Sequence, residues 1–487
     1  MAKFKYKYQM YKHLQANIPN IFADARKAAE GIGIPAEKKG AIGLTGAISG
    51  CPAPLRKDIM EASEKGAVKV TPLSTLVEEI REIVKDVYGD GFDVAPVSSC
   101  EAGLWLSFDA LCTPPMMGRG DNYRSRYIAP YEKHMHHQGG YGRPFPAKYK
   151  DYLADRGSTA GEMGFYGKRQ NNLDLVIVPL EGANYDVHGI KYHPVPLLTG
   201  VKSDASYEAM RKVTERHASM VTGFTSLGYE TPGYGYAEKD DKGTPKLQKN
   251  IARLAKEYNV PYIVDNAWGL PFVGFDPVKV GADLVVYSMD KATGSATSGL
   301  IIGKEDQMVA IRRAMGMHGD RWGTLASYGK AAYVTFDPGK EALLSQVQAL
   351  KVLRDKPEVL TKPLDDLFAL VKEEFGKLPK ELLDGIVITK SLNSCAVEIN
   401  YEGTWKNGKM GIPIFSIEDM YGGSHLFQAG MNQMGVIPTI AYDANIFISP
   451  GLGTCDESGA LMDREMRWCV KSLVKLIEIV CGYAGIL

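Results

Sequence analysis

The stretch from Tyr262 to Gly303, YIVDNAWGLPFVGFDPVKVGADLVVYSMDKATGSATSGLIIG, constrains this chain more than any other. A short β-branched run ends in Asp265. A second apolar run, Ala282 to Tyr287, ends in Ser288-Met289-Asp290-Lys291, and a Gly/Ser/Thr-rich turn leads to a third, Gly299 to Gly303. Runs of this length and composition read as buried strands. A carboxylate therefore stands at the end of one buried strand and an amine at the end of the next.

Around this stretch strands and helices alternate. Residues 73–90 carry apolar side chains at helical spacing and run out at a glycine. Phe92 to Val97 reads as a strand, and the run GLWLSFDAL from Gly103 as a helix. Leu173 to Leu180, 192–198 and Met220 to Phe224 read as further strands, and 204–217 and 244–259 as helices. This order predicts an α/β fold with a doubly wound, mostly parallel sheet. Residues 341–378 predict a long linking helix, and strands within GIVITK, CAVEINY and NIFISP, with a closing helix from Met462, predict a smaller α+β C-terminal domain. With 487 residues the chain exceeds one ordinary core. The expected division is an N-terminal arm (1–60), a large domain (61–340), and a linking helix with a small domain (341–487).

Composition excludes several classes of function. Lys+Arg and Asp+Glu balance at 57 each, so no global field draws the chain to nucleic acid or membrane. No apolar run reaches the roughly 18 residues of a membrane span, and the basic N-terminus lacks the apolar core of a signal peptide. Seven scattered cysteines without metal-ligand spacing point to reduced thiols in the cytoplasm and to no metal site. His134, His136 and His137 lack a second ligand cluster.

Three segments bear on ligands. Ser98-Ser99-Cys100 joins a strand to a helix, the geometry in which free N–H groups and the helix dipole hold a phosphate; serine is also a common N-cap. The turn Ala41 to Gly46, which contains Thr45, either lets backbone approach a ligand or merely joins the arm to a helix near Pro54. Residues 113–172 form an irregular insertion with ten Lys/Arg against five Asp/Glu, read either as a cationic lid over an anionic substrate or as a solvated, subunit-contacting loop.

The phosphate turn, the strand-end acid and the strand-end lysine together suit pyridoxal phosphate (PLP). That cofactor needs a lysine for its Schiff base and an acid opposite its pyridinium nitrogen. The chain resembles the fold-type I PLP enzymes, the aspartate-aminotransferase superfamily, from about residue 40 onward. The resemblance implies that Asp265 meets the ring nitrogen, Ala267 packs on one ring face, and Lys291 forms the Schiff base. Ser98, Ser99, Cys100 and Ser288 would meet the phosphate, and Tyr185 or Asn184 would stack on the other ring face. Within the superfamily, Asp290-Lys291 with the following ATGSATSGLIIGKEDQMVAIRRA is similar to the selenocysteine synthase and ammonia-lyase group. That likeness gives Arg312 and Arg313, with Thr45, a role in holding substrate.

Departures from the family narrow the reaction. NIFISP, the late strand where aminotransferases keep a carboxylate-binding arginine, has none. No cysteine occurs between Cys112 and Cys395, where a desulfurase needs its nucleophile. The expectation is an enzyme that deprotonates Cα of a small, anionic amino acid and then eliminates or replaces a group at Cβ. An aminotransferase and a tRNA-dependent transferase are the alternatives, although neutral charge argues against a nucleic-acid partner. The resemblance also implies a homodimer or larger assembly.

Overall fold

The computed structural model describes residues 4–5, 7–45, 51–112, 126–132, 191–197, 203–216, 218, 221–228, 238–315, 336–401, 403–405, 409–413, 423–442 and 445–487. Seven strands form the main sheet: β1 (Phe92–Val97), β2 (Arg126–Glu132), β3 (Lys191–Leu197), β4 (Val221–Leu227), β5 (Tyr262–Asp265), β6 (Leu284–Ser288) and β7 (Gly299–Lys304). Their order is β1-β7-β6-β5-β4-β2-β3. The five strands from β6 to β3 are mutually parallel, and β7 runs against both of its neighbours. The reversal follows from the connection. No crossover helix lies between Ser288 and Gly299, and a parallel pair needs one.

In chain order the helices up to residue 355 are α1 (Lys7–Ala16), α2 (Ile18–Ile32), α3 (Lys57–Ala67), α4 (Leu73–Tyr88), α5 (Cys100–Cys112), α6 (Ser203–Arg216), α7 (Lys246–Glu257), α8 (Pro277–Val280), α9 (Glu305–Ala314) and α10 (Lys340–Asp355). Strands β4 to β7 are buried along almost their whole length, as the apolar runs predict. Their side chains share one apolar core with Leu104 and Phe108 of α5, Ile251 and Leu254 of α7, and Leu350 of α10. Gly103 is where α5 touches the sheet: a Cβ there would lie 2.8 Å from Val286 Cγ1.

Beyond residue 355 come α11 (Glu358–Phe375), α12 (Lys380–Leu383), β8 (Val387–Ser391), β9 (Ala396–Asn400), α13 (Gly423–Gln433), β10 (Ile440–Tyr442), β11 (Asn445–Ile448) and α14 (Asp463–Tyr483). The strands make an antiparallel sheet in the order β10-β11-β9-β8. A second apolar core joins this sheet to α11 and α14 and also takes in Met10, Leu14, Ile21 and Ala25 of α1 and α2.

Two expectations need correction. The single linking helix over 341–378 is two helices, α10 and α11, broken at Lys356-Pro357, because a proline lacks an N–H and pushes its predecessor out of the helical region. Lys356 accordingly has φ −146°. The irregular insertion 113–172 contributes β2, which pairs with both β3 and β4. Its Pro130 hides the strand from pattern reading, since proline donates no ladder hydrogen bond. The N-terminal residues form α1 and α2, whose apolar side chains join the second core. The expected strand at 173–180 lies outside the described residues.

At the edge of the main sheet where β1 begins, Asp93 is buried between two arginines. Arg81 Nε donates to its Oδ1 at 2.7 Å, Arg312 Nη1 donates to its Oδ2, and Arg312 Nη2 reaches Glu305 Oε1 at 3.0 Å. Arg312 is fully buried and Asp93 nearly so. Removing one member of such a group leaves buried charge without a partner. Asp93→Ala is expected to cost about 3–5 kcal/mol, read as a lower urea midpoint with unchanged m-value.

Candidate functional site

Strand register brings the sequence-predicted residues to one edge of the sheet. Leu227 pairs with Asp265, Asp265 with Val286, Ser288 with Gly299, and Val97 with Gly299. Asp265, the Ser288–Lys291 segment and the Ser98–Cys100 turn therefore share the edge where the parallel strands end, the position at which open α/β sheets bind ligands. Gly299 admits this closeness. A Cβ at 299 would lie 2.5 Å from the Ser99 carbonyl carbon, so the turn before α5 packs directly on the start of β7.

Asp265 is 4% exposed. Its Oδ1 accepts from the Ala267 N–H at 3.1 Å, and its Oδ2 is buried with no hydrogen-bond partner. Burial pushes the carboxyl up to about 6, while the Lys291 charge and the Ala267 N–H pull it down. A buried oxygen left in this state is costly and calls for a donor.

Lys291 sits on a turn that is closed from several sides. Met289 N donates to Ser298 O at 2.8 Å and Ser295 N to Met289 O at 2.9 Å. From α10, Ser345 Oγ accepts from Ala296 N at 2.8 Å, and Gln346 Nε2 donates to Gly299 O at 3.0 Å. The half-buried ammonium lies 5.9 Å from the centre of the Trp268 ring, which packs in turn on Phe447 of β11 at 5.1 Å. Lys291 opens into a cavity of ≈ 170 Å³ whose walls include Leu55, Arg56, Cys395, Ser449 and Cys455.

The other expected residues divide. Ser99 caps α5, its Oγ accepting from Ala102 N at 3.0 Å and keeping a proton to donate. Half-buried Ser98 gives its N–H to Phe336 O at 2.6 Å. The Cys100 thiol is buried, with Val286 O 4.0 Å from its Sγ, so only its backbone faces the turn. Burial pushes that thiol well above its usual range. Ser288 Oγ donates to Asp290 Oδ1. Ala267 is buried beside Asp265, and Thr45 is buried one residue after Leu44, whose carbonyl accepts from Ser449 N at 3.0 Å.

Arg312 and Arg313 are not brought to this edge. The register places Asp93 opposite Gly303 and Val97 opposite Gly299, so the Asp93–Arg312 pair stands at the far end of β1 and β7. Arg313 is exposed on the same helix. Tyr185 and Asn184 lie outside the described residues.

Sequence reasoning missed Trp268, which stood inside the quoted DNAWG, and Arg56, whose neighbours carry no motif. It also missed two thiols. Cys395 and Cys455 line the cavity although no cysteine falls in the interval that a linear reading scans. Burial pushes both up to about 12, which keeps them protonated at neutral pH. Among the described residues no group of acids, histidines and cysteines could hold a metal, and no helix is long and apolar enough to cross a membrane.

No family model and no curated protein sequence matches this chain. Among solved structures, that of SepCysS in complex with the SepCysE N-terminal domain matches 91% of this chain and 95% of its own chain, at 11% identity and TM-score 0.51. That likeness establishes the fold, the one expected from the fold-type I resemblance. D-glucosaminate-6-phosphate ammonia-lyase matches 90% of this chain and 95% of its own at 14% identity and TM-score 0.45. Alanine aminotransferase from Pyrococcus furiosus matches 95% and 97% at 16% identity and TM-score 0.48. At those TM-scores the last two carry no argument about this chain.

The raised Asp265 carboxyl gives a pH dependence of defined sign. An acid that the fold holds at about 6, against 3.8 in its absence, favours folding below 3.8 and loses that contribution as pH rises through 6. The cofactor-free protein should therefore lose up to about 3 kcal/mol of stability across this window relative to Asp265→Asn. Paired urea titrations at pH 4 and pH 7 check the difference.

Proposed function

We propose that this protein is a PLP-dependent enzyme that eliminates or replaces a group at Cβ of a small amino acid with an anionic side group. The observation that carries the reading is the unpartnered Asp265 Oδ2, buried at the same sheet edge as Lys291 and the N-terminus of α5. The residues present fit the cofactor. A pyridinium N–H answers the orphaned oxygen, and an ion pair with it restores the carboxylate that burial disfavours. The α5 N-terminus, with Ser98 and Ser99, suits a phosphate. Lys291 is the amine that would hold the aldehyde.

When bound, the cofactor supplies an electron sink conjugated to the substrate's Cα. The chain does the rest. Asp265 would keep a proton on the ring nitrogen, and the water-excluding core around it would strengthen that charge pair. Lys291 Nζ would be the base that takes the Cα proton. The Trp268 ring lies 5.9 Å from Nζ, and α10 holds the turn that carries Lys291. The departing group leaves Cβ with its bonding electrons. For phosphoserine and water the balance is pyruvate, ammonia and phosphate. For cysteate it is pyruvate, ammonia and sulfite.

Residues 61–340 would hold this site, with 341–487 as a domain closing over it, in a cytoplasmic homodimer. Two measurements test the reading. The wild-type protein should develop a visible absorption band on addition of cofactor, and Lys291→Ala should not; a persisting band in the variant would sink the assignment. Phosphoserine or cysteate should release pyruvate and ammonia in equal amounts. Transfer of the amino group to an added keto acid, without ammonia, would mark an aminotransferase instead.

A further inference from the structure

We propose that Arg56 binds the substrate's carboxylate, taking the part that the late strand leaves open. The inference rests on the cofactor reading of Lys291 and adds the class of ligand: an α-amino acid held by its carboxylate from the N-terminal side of the chain.

Among the described residues that wall the Lys291 cavity, Arg56 is the only guanidinium. It is 7% exposed, and its position is fixed. Nη1 donates at 2.9 Å to the carbonyl of Thr293, two residues beyond Lys291. Nε and Nη2 donate to Asp58 at 3.1 and 3.3 Å, and Gln348 Nε2 holds the same carboxylate at 3.1 Å. Two glycines with left-handed backbone flank the side chain. A Cβ at Gly459 (φ +92°) would lie 3.1 Å from Arg56 Cδ, and one at Gly294 (φ +66°) 3.7 Å from Nη1.

A guanidinium has five N–H donors, and these contacts use three, leaving one on each terminal nitrogen. Two N–H groups in that plane match the two oxygens of a carboxylate. The connectivity of the ligand also suits this placement. An α-amino acid carries its carboxylate one bond from the carbon that bears the nitrogen, and Arg56 is tied to the turn that carries the nitrogen's partner, Lys291. Asp58 is 37% exposed, so it leaves the Arg56 charge only partly neutralised.

The test compares two carbonyl reagents with the same nucleophilic group, aminooxyacetate, which carries a carboxylate, and O-methylhydroxylamine, which does not. Loss of the visible band gives each rate constant with the cofactor-loaded protein. The wild type should favour aminooxyacetate by roughly 10- to 100-fold, the worth of a hydrogen bond to a charged group. Arg56→Gln should bring the ratio close to one, and retention of the full ratio would overturn the assignment. Asp58→Asn removes the competing carboxylate and should raise the ratio, so an unchanged ratio there counts against the proposal even if Arg56→Gln does not fold. The two readings fail differently. A wild-type chain with no visible band contradicts the cofactor, whereas a band that reacts equally with both reagents contradicts only the role of Arg56.

Discussion

A carboxylate buried with one oxygen unanswered is the feature on which the rest of this molecule turns. Asp265 ends the short central strand β5, and its Oδ2 lies in the core without a donor. Burying such a group without a partner costs of order 1–3 kcal/mol, or more when it is charged. The surrounding structure nevertheless holds it rigidly, through the Ala267 N–H and through the parallel neighbours β4 and β6. An unmet acceptor kept in place by its neighbours belongs with a ligand that supplies the missing donor.

The opposite edge of the same sheet shows how charge is buried when no ligand is expected. Asp93 is answered by Arg81 and Arg312, and Arg312 by Glu305. The two ends of the sheet differ: at one a buried acid is paired through both oxygens with arginines, and at the other an acid keeps one oxygen unmatched. This contrast separates a structural arginine from a candidate ligand-binding one. Arg312 stands in the stretch that resembles a known family, yet the fold spends it on Asp93. Arg56 stands in no motif, yet the fold sets it beside Lys291.

Much of the main sheet was legible because its strands are short, apolar and buried on both faces. β1 begins and ends at the residues that the pattern predicts, β5 and β6 fall within the stretch from Tyr262 to Gly303, and β7 ends one residue beyond it. Where proline interrupts, legibility fails: Pro130 concealed β2, and Pro357 divided the predicted linking helix. The cavity was legible only at Lys291. Arg56, Cys395, Ser449 and Cys455 come from segments far apart in the chain, and nothing local in them signals that they meet.

The amino-acid sequence alone determined the alternation of strands and helices, the small polar turn before α5, and the pairing of an acid with a lysine on successive strand ends. These are local properties, set by periodicity, by turn-forming residues and by chain order. Only the tertiary structure decided which charges are already satisfied and which face open space. Whether a side chain has a partner depends on residues brought from elsewhere in the chain. Asp265 and Arg312 read alike as isolated charges in a sequence. Packing gives Arg312 two carboxylates and leaves one oxygen of Asp265 with none.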